Sequence, residues 1–244
     1  MPDFSANLGF LWTDKSLPEA IHAAHAAGFV AVECHWPYDT PPEDVAAALS
    51  ETGLPMLGLN TLRGDVAGGE NGLSALPGRE SEARAAIDQA LTYAQAIGAA
   101  SVHVMAGNTS DAAAHKSFID NLSYACAKAG EENITILIEP LNRNDAPDYF
   151  LRTTDQATAI MNEVNASNLK LMFDCYHVGR NEGDVITRFM ALQPVIGHVQ
   201  FASVPTRGAP DQGEINYAFV FREIAAAGWS RPLGAEYKPG GPTD

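Results

Sequence analysis

The chain has 244 residues, 46% of them hydrophobic and 18% charged, a profile that excludes intrinsic disorder and a long coiled coil and predicts one large buried core. Thirty acidic against fifteen basic residues give a formal net charge of −15; no Lys/Arg cluster interrupts it, which argues against nucleic acid as a partner. No apolar run reaches the roughly 18 residues of a membrane helix, and Met1-Pro2-Asp3-Phe4 does not open a basic-then-apolar export signal.

Taken in chain order, one pattern repeats: a short apolar run, a turn, then an amphipathic stretch. The run Phe4–Phe10 reads as a first strand, followed by Ser16-Leu-Pro-Glu19, a capping box that opens a helix. Val30–His35 is the second strand, and Thr40-Pro-Pro-Glu43 reads as another capping box. Pro55–Asn60 is the third. After it comes a glycine-rich segment, Gly64–Gly78, too long for an ordinary turn and expected to be a mobile lid. Ala83, Ile87, Ala90, Ala94 and Ile97 then recur at helical spacing before Gly98. Ser101–Gly107 is the fourth strand, and Phe118, Leu122 and Ala125 mark a helix ending at Gly130. The fifth strand, Thr135–Pro140, precedes a helix opened by Thr154. Leu169–Cys175 and Ile196–Ala202, separated by a helix over Glu182–Leu192, are the sixth and seventh strands. A helix over Tyr217–Ala227 leads to the eighth, Pro232–Tyr237.

Eight near-continuous apolar strands alternating with seven helices predict an α/β fold of (β/α)8 TIM-barrel type, one domain spanning residues 1–244, with the eighth helix missing or truncated. An open doubly wound sheet is the alternative, weakened by the lack of Gly-x-Gly-x-x-Gly after any strand. Cys34, Cys126 and Cys175 are odd in number and form no Cys-x-x-Cys. They read as reduced packing thiols of a cytoplasmic protein.

Barrel chemistry sits where the strands end. The last four strands end in or carry Glu139, Asp174, Gln200 and Glu236. Converging carboxylates repel unless a cation lies among them, and hard oxygen ligands suit Mg²⁺ or Mn²⁺. His22, His25 and His115 fall on helices. His35, His103, His177 and His198 fall at the rim; His177 is the first choice for a substrate contact, with His103 beside it, whereas His198 reads equally as a core residue. Arg207, in the loop after the seventh strand, is the candidate for holding a substrate carboxylate, with Lys238 second. Trp12, Trp36 and Tyr38 either wall the pocket or cover the barrel mouth.

Six motifs in order carry a family resemblance: Glu33-Cys-His-Trp-Pro-Tyr, Gly69-Glu-Asn-Gly-Leu, Ile138-Glu-Pro-Leu-Asn-Arg, Phe173-Asp-Cys-Tyr-His, Gly197-His-Val-Gln-Phe-Ala-Ser-Val-Pro and Gly234-Ala-Glu-Tyr-Lys-Pro. Together they resemble hydroxypyruvate isomerase, within the xylose-isomerase-like barrels. The resemblance implies a divalent metal held by Glu139, Asp174, Gln200 and Glu236, with Glu139 and Glu236 passing a proton. It also implies interconversion of hydroxypyruvate and 2-hydroxy-3-oxopropanoate (tartronate semialdehyde). The related barrels give alternatives: 2-oxotetronate isomerisation, ketose 3-epimerisation, abasic-site cleavage or sugar binding without catalysis. Ketose epimerases usually carry His where this chain has Gln200. The expected partner is a small hydroxy-carbonyl acid or sugar, with no nucleic acid and no membrane; association into a homo-oligomer is left open.

Overall fold

Eight parallel strands alternate with helices in the computed structural model, which describes residues 2–241 and 243. The strands are β1 (Phe4–Asn7), β2 (Ala31–Glu33), β3 (Leu59–Asn60), β4 (Ser101–His103), β5 (Thr135–Ile138), β6 (Leu169–Asp174), β7 (Ile196–Phe201) and β8 (Leu233–Ala235). Their order is β2-β1-β8-β7-β6-β5-β4-β3. Residues 55–58 close the ring between β2 and β3: Val32 donates its N–H to the Pro55 carbonyl (3.0 Å) and Leu57 donates to Val32 (2.7 Å). The helices are α1 (Leu17–Ala26), α2 (Pro42–Thr52), α3 (Glu80–Ile97), α4 (Ala114–Glu131), α5 (Thr154–Val164), α6 (Cys175–Asn181), α7 (Val185–Leu192) and α8 (Tyr217–Ala226).

The period-2 alternation of a strand divides these runs between two environments. Ile136 and Ile138, Leu171 and Phe173, and Val199 and Phe201 join the apolar core. Their neighbours Leu137, Met172 and His198 line the interior of the barrel with Ser101, Glu33 and Gln200. One face of each strand therefore supplies cohesion and the other is free to carry chemistry. No helix among the described residues is long and apolar enough to cross a membrane, and all three cysteines are free and buried.

Local signals were read correctly where the side chain in question acts on its own turn. Glu19 accepts from the backbone N–H of Ser16 at 2.9 Å, as the capping box requires. Elsewhere the structure corrects the sequence. Helix α2 has Pro41, not Thr40, at its N-cap, so no capping box forms there. Helix α4 passes through Gly130, and Asn133 (φ +56) takes the left-handed turn. The seventh helix starts at Val185 rather than Glu182, whose carboxylate instead accepts from Thr154 N–H (3.0 Å) at the start of α5. Helix α6 was not foreseen; it begins directly after Asp174, which caps it by accepting from Tyr176 N–H at 2.8 Å. No helix follows β8 among the described residues.

The segment expected to be a lid is half wall. Ser74 and Ala75 donate to the Met105 and Ala106 carbonyls at 3.3 and 2.7 Å, and Leu73, Ser74 and Ala75 are buried. Gly72 (φ +118) permits this approach, because a Cβ there would lie 2.7 Å from both Gly107 N and Met105 O. Residues 64–69 and Gly78 are exposed, and 70, 71, 76 and 77 are half-buried.

Candidate active site

The rim of the barrel gathers polar side chains that are almost wholly buried: Glu139, Asp174, Gln200, Glu236, His103 and His177. Strand register explains the convergence. Asp174 pairs with Gln200 across β6 and β7, and Glu236 donates its N–H to Phe201, one residue past Gln200. Glu139 follows β5 directly. His103 closes β4, with Nδ1 3.7 Å from Glu139 Oε2. His177 sits in the first turn of α6, its Nε2 3.6 Å from Asp174 Oδ2 and 3.8 Å from Glu139 Oε1.

Glu236 is the most heavily engaged carboxylate. Its Oε1 accepts from Asn7 Nδ2 (3.2 Å) and faces His35 Nε2 (3.1 Å), while Oε2 takes Arg207 NH2 at 2.5 Å. Arg207 also lies 3.9 Å from Asp174 and rests between the rings of Phe10 and Tyr176, at 4.8 and 5.1 Å from their centroids. The loop that carries it is pinned by Arg207 N–H on the Ser203 carbonyl (2.8 Å) and by Lys238 N–H on the Arg207 carbonyl (2.7 Å). Lys238 contributes that backbone contact; its side chain is exposed and enters none of the ion pairs of the site. Of the eight residues singled out from the sequence, seven are thus brought together and Lys238 is not.

These contacts split the carboxyl groups apart. Burial opposes the charge on Glu236, but Arg207 and His35 more than offset it and hold this carboxylate well below its usual range. Burial and then the charge of Glu236 push Asp174 up to about 7 and Glu139 well above its ordinary value. Burial likewise drives His103 down to about 4 and His177 to about 3, so both rings are neutral near pH 7. One guanidinium does not balance three buried carboxylates.

Glu139 Oε1, Asp174 Oδ2 and Gln200 Oε1 are buried acceptors with no donor. Buried polar atoms are rarely left in this state without a ligand to use them. One atom from each of Glu139, Asp174 and His177 lies within 4.8 Å of the others, so this group could hold a metal ion. The histidine, however, offers a proton. The Asn142 backbone N–H donates to its Nδ1 at 2.9 Å, and the Asn142 side-chain amide sits 2.8 Å from the same atom. A backbone amide can only donate, so Nδ1 accepts and the neutral ring carries its hydrogen on Nε2. The oxygen of Gln200, with the carboxylates, therefore suits a hard divalent cation better than His177 does.

Glu33 and Asn7 are not among the residues singled out from the sequence. Each ends a strand of the structure, β2 and β1, but lies inside the longer apolar run Val30–His35 or Phe4–Phe10, so only the observed strand ends mark them. Glu33 Oε2 accepts from Gln200 Nε2 at 2.8 Å, and its two oxygens each lie 3.1 Å from His198 Nε2. His198 is therefore buried beneath the site, paired with Glu33, as one of its two sequence readings held. Trp36 donates its Nε1–H to the Thr61 carbonyl at 3.1 Å with Arg63 stacked on its ring at 3.9 Å, and Trp12 is buried edge-on against Phe29.

Residues 21–243 match the family model of the xylose isomerase-like TIM barrel. The chain is 42% identical over 243 residues to the 2-oxo-tetronate isomerase of Cupriavidus necator, covering 98% of this chain and 94% of that protein. It is 36% identical over 240 residues to the hydroxypyruvate isomerase of Escherichia coli, covering 97% and 93%. Among solved structures, one described as AP endonuclease, family 2, from Brucella melitensis superposes with a TM-score of 0.96 at 36% identity, covering 100% of this chain and 95% of that one.

Proposed function

The chain belongs to the xylose isomerase-like TIM barrel family and is an isomerase of that family; from that premise we propose that it moves a carbonyl between C2 and C3 of a small 2-oxo-3-hydroxy acid. The first pair is hydroxypyruvate and 2-hydroxy-3-oxopropanoate. The observation that carries this reading is the set of donorless oxygens on Glu139, Asp174 and Gln200 beside the half-buried guanidinium of Arg207. Oxygen ligands and a fixed cationic fork are what a chelating hydroxy-carbonyl acid needs at its two ends.

Glu139, Asp174, Gln200 and Glu236 would hold Mg²⁺ or Mn²⁺, which when bound polarises the carbonyl and its neighbouring hydroxyl and so acidifies the intervening C–H. One glutamate removes the C3 proton to leave a cis-enediolate, and a glutamate returns a proton to C2. His177, with its hydrogen fixed on Nε2, donates to a substrate oxygen, and His103 bounds the same face. Arg207 binds the carboxylate and offsets the enediolate charge.

A second substrate is favoured by the relative from Cupriavidus necator. 2-Oxotetronate carries the same C1–C3 unit as hydroxypyruvate with one CH2OH added at C3, so one mechanism serves both acids. A nucleic-acid reading has less support, because the net charge of −15 comes with no basic stripe to meet a phosphate backbone. The test is turnover of hydroxypyruvate, 2-oxotetronate and free ketoses with Mg²⁺ or Mn²⁺, run also in D2O. Proton transfer puts deuterium on C2 of the product; a hydride shift carries the original hydrogen across. Turnover of ketoses but of neither acid would refute the substrate class.

Arg207 gives a narrower test. Loss of a charge-assisted fork costs about 1.5–3 kcal/mol, so Arg207→Ala should lower kcat/KM for hydroxypyruvate by roughly 10- to 150-fold. Arg207→Lys should be nearly as damaging, because a point charge does not reproduce the fork. An unchanged kcat/KM in Arg207→Ala would remove Arg207 from carboxylate recognition.

A further inference from the structure

A glutamine is an ambiguous metal ligand. Its oxygen can bind a cation and its NH2 cannot, yet the two differ only by a half-turn of the terminal amide. Next to Asp174 and Glu139 the electrostatic preference of a free amide is the wrong one, since its NH2 would hydrogen-bond the carboxylates. Something must hold Gln200 the other way round.

We infer that Glu33 is a positioning residue that fixes the orientation of the Gln200 amide, so that the oxygen and not the nitrogen is offered to the metal; the inference rests on the metal-site reading above. Glu33 ends β2 and Gln200 lies on β7, with β1 and β8 between them in the sheet. The carboxylate nevertheless reaches Gln200 Nε2 at 2.8 Å. An ionised carboxylate only accepts, so it captures the NH2 and, by the planarity of the amide, turns Oε1 away. That oxygen is then left buried without a donor. His198 holds the carboxylate in place with Nε2 at 3.1 Å from each of its oxygens.

The path across the two strands exists because of Gly234. It is the register partner of Gln200 on β8. A Cβ at that position would run into the Glu33 carboxylate and would lie 2.9 Å from both Gln200 Cγ and His198 Nε2. A residue with a side chain at 234 therefore has to displace the contact. Glu33 and Gly234 serve one purpose from opposite sides: the first supplies the acceptor and the second leaves it room.

The readout is Mn²⁺ affinity, measured by calorimetry or by EPR of the free ion, with the melting temperature followed in parallel. Loss of a partner that orients a ligand typically costs 10- to 100-fold in metal affinity, so E33L should raise the Mn²⁺ Kd by that factor. G234A should weaken binding in the same direction. If Glu33 acts through the Gln200 amide, E33L adds little further loss in a Q200M background, where no amide remains to orient. A general structural role would instead multiply the two losses. Should E33L fold poorly, E33Q keeps the shape and removes the charged acceptor, and the cycle E33Q/Q200M is read in the same way. Parent-like Mn²⁺ affinity in both E33L and E33Q, or fully multiplicative losses in the double variant, would overturn the inference alone. Failure of the parent protein to bind Mn²⁺ would overturn it together with the metal reading.

Discussion

Glu139→Gln and Glu236→Gln should each lower kcat by about 10²–10⁴, the usual contribution of general acid–base catalysis. The substitution keeps the shape of the side chain and removes its capacity to take or return a proton. The two positions should differ in what else is lost. Glu236 accepts from Arg207, Asn7 and His35, so an amide there leaves one or more of these donors facing an NH2. Glu236→Gln should therefore also raise KM for the acid, by loosening Arg207. Glu139 has an oxygen with no donor, and its amide variant should fold and bind the acid with little change. Because both are expected to touch the cation, bound metal is measured in each variant before the loss is assigned to proton transfer. Metal-replete variants at both positions with parent turnover would end the two-glutamate mechanism.

Removal of the metal should abolish turnover, with Mn²⁺ or Mg²⁺ restoring it after dialysis against EDTA. Full activity in a preparation shown by elemental analysis to be metal-free would refute the requirement. The pH dependence of stability gives an independent check. Asp174 titrates near 7 in the folded state and Glu139 well above the carboxylate range. Both are raised by burial and by the charge of Glu236, so the folded state binds these protons more tightly. The stability they contribute is present below the unfolded values and is lost as pH rises through the folded ones. His103 and His177 act in the opposite sense, being lowered to about 4 and about 3. Their effect grows with pH only up to the unfolded histidine value of about 6.5, after which it is constant. Above about pH 6.5 the carboxyls alone remain. The Tm of the EDTA-treated protein should accordingly fall from about pH 6.5 to about pH 8, and saturating Mn²⁺ should abolish that slope by favouring the ionised carboxylates. A metal-free Tm that stays level or rises over this interval would contradict the placement of these groups.

The barrel and four of the candidate site residues at its rim were legible in the sequence because both depend on short-range patterns. An apolar run of a few residues bounded by a turn specifies a buried parallel strand from its own composition, and the polar residue at its end is placed at the rim by the topology of the barrel alone. Glu139, Asp174, Gln200 and Glu236 are visible for that reason. Ring closure decided the rest. Glu33 and Gln200 stand 167 residues apart, and His35 and Glu236 stand 201 apart. No local periodicity encodes a contact at that separation; it exists because β1 and β8 pair and bring the second strand to the seventh. The hydrogen on His177 Nε2 is likewise a consequence of where the backbone of Asn142 passes, 35 residues away. The inner half of the presumed lid was misread for a related reason. Its glycines look like slack in the sequence, but at Gly72 the missing side chain is what lets two backbones meet. Composition and spacing thus fixed which side chains reach the rim, and only the closed barrel, through contacts its chain order does not reveal, decided how each one is held.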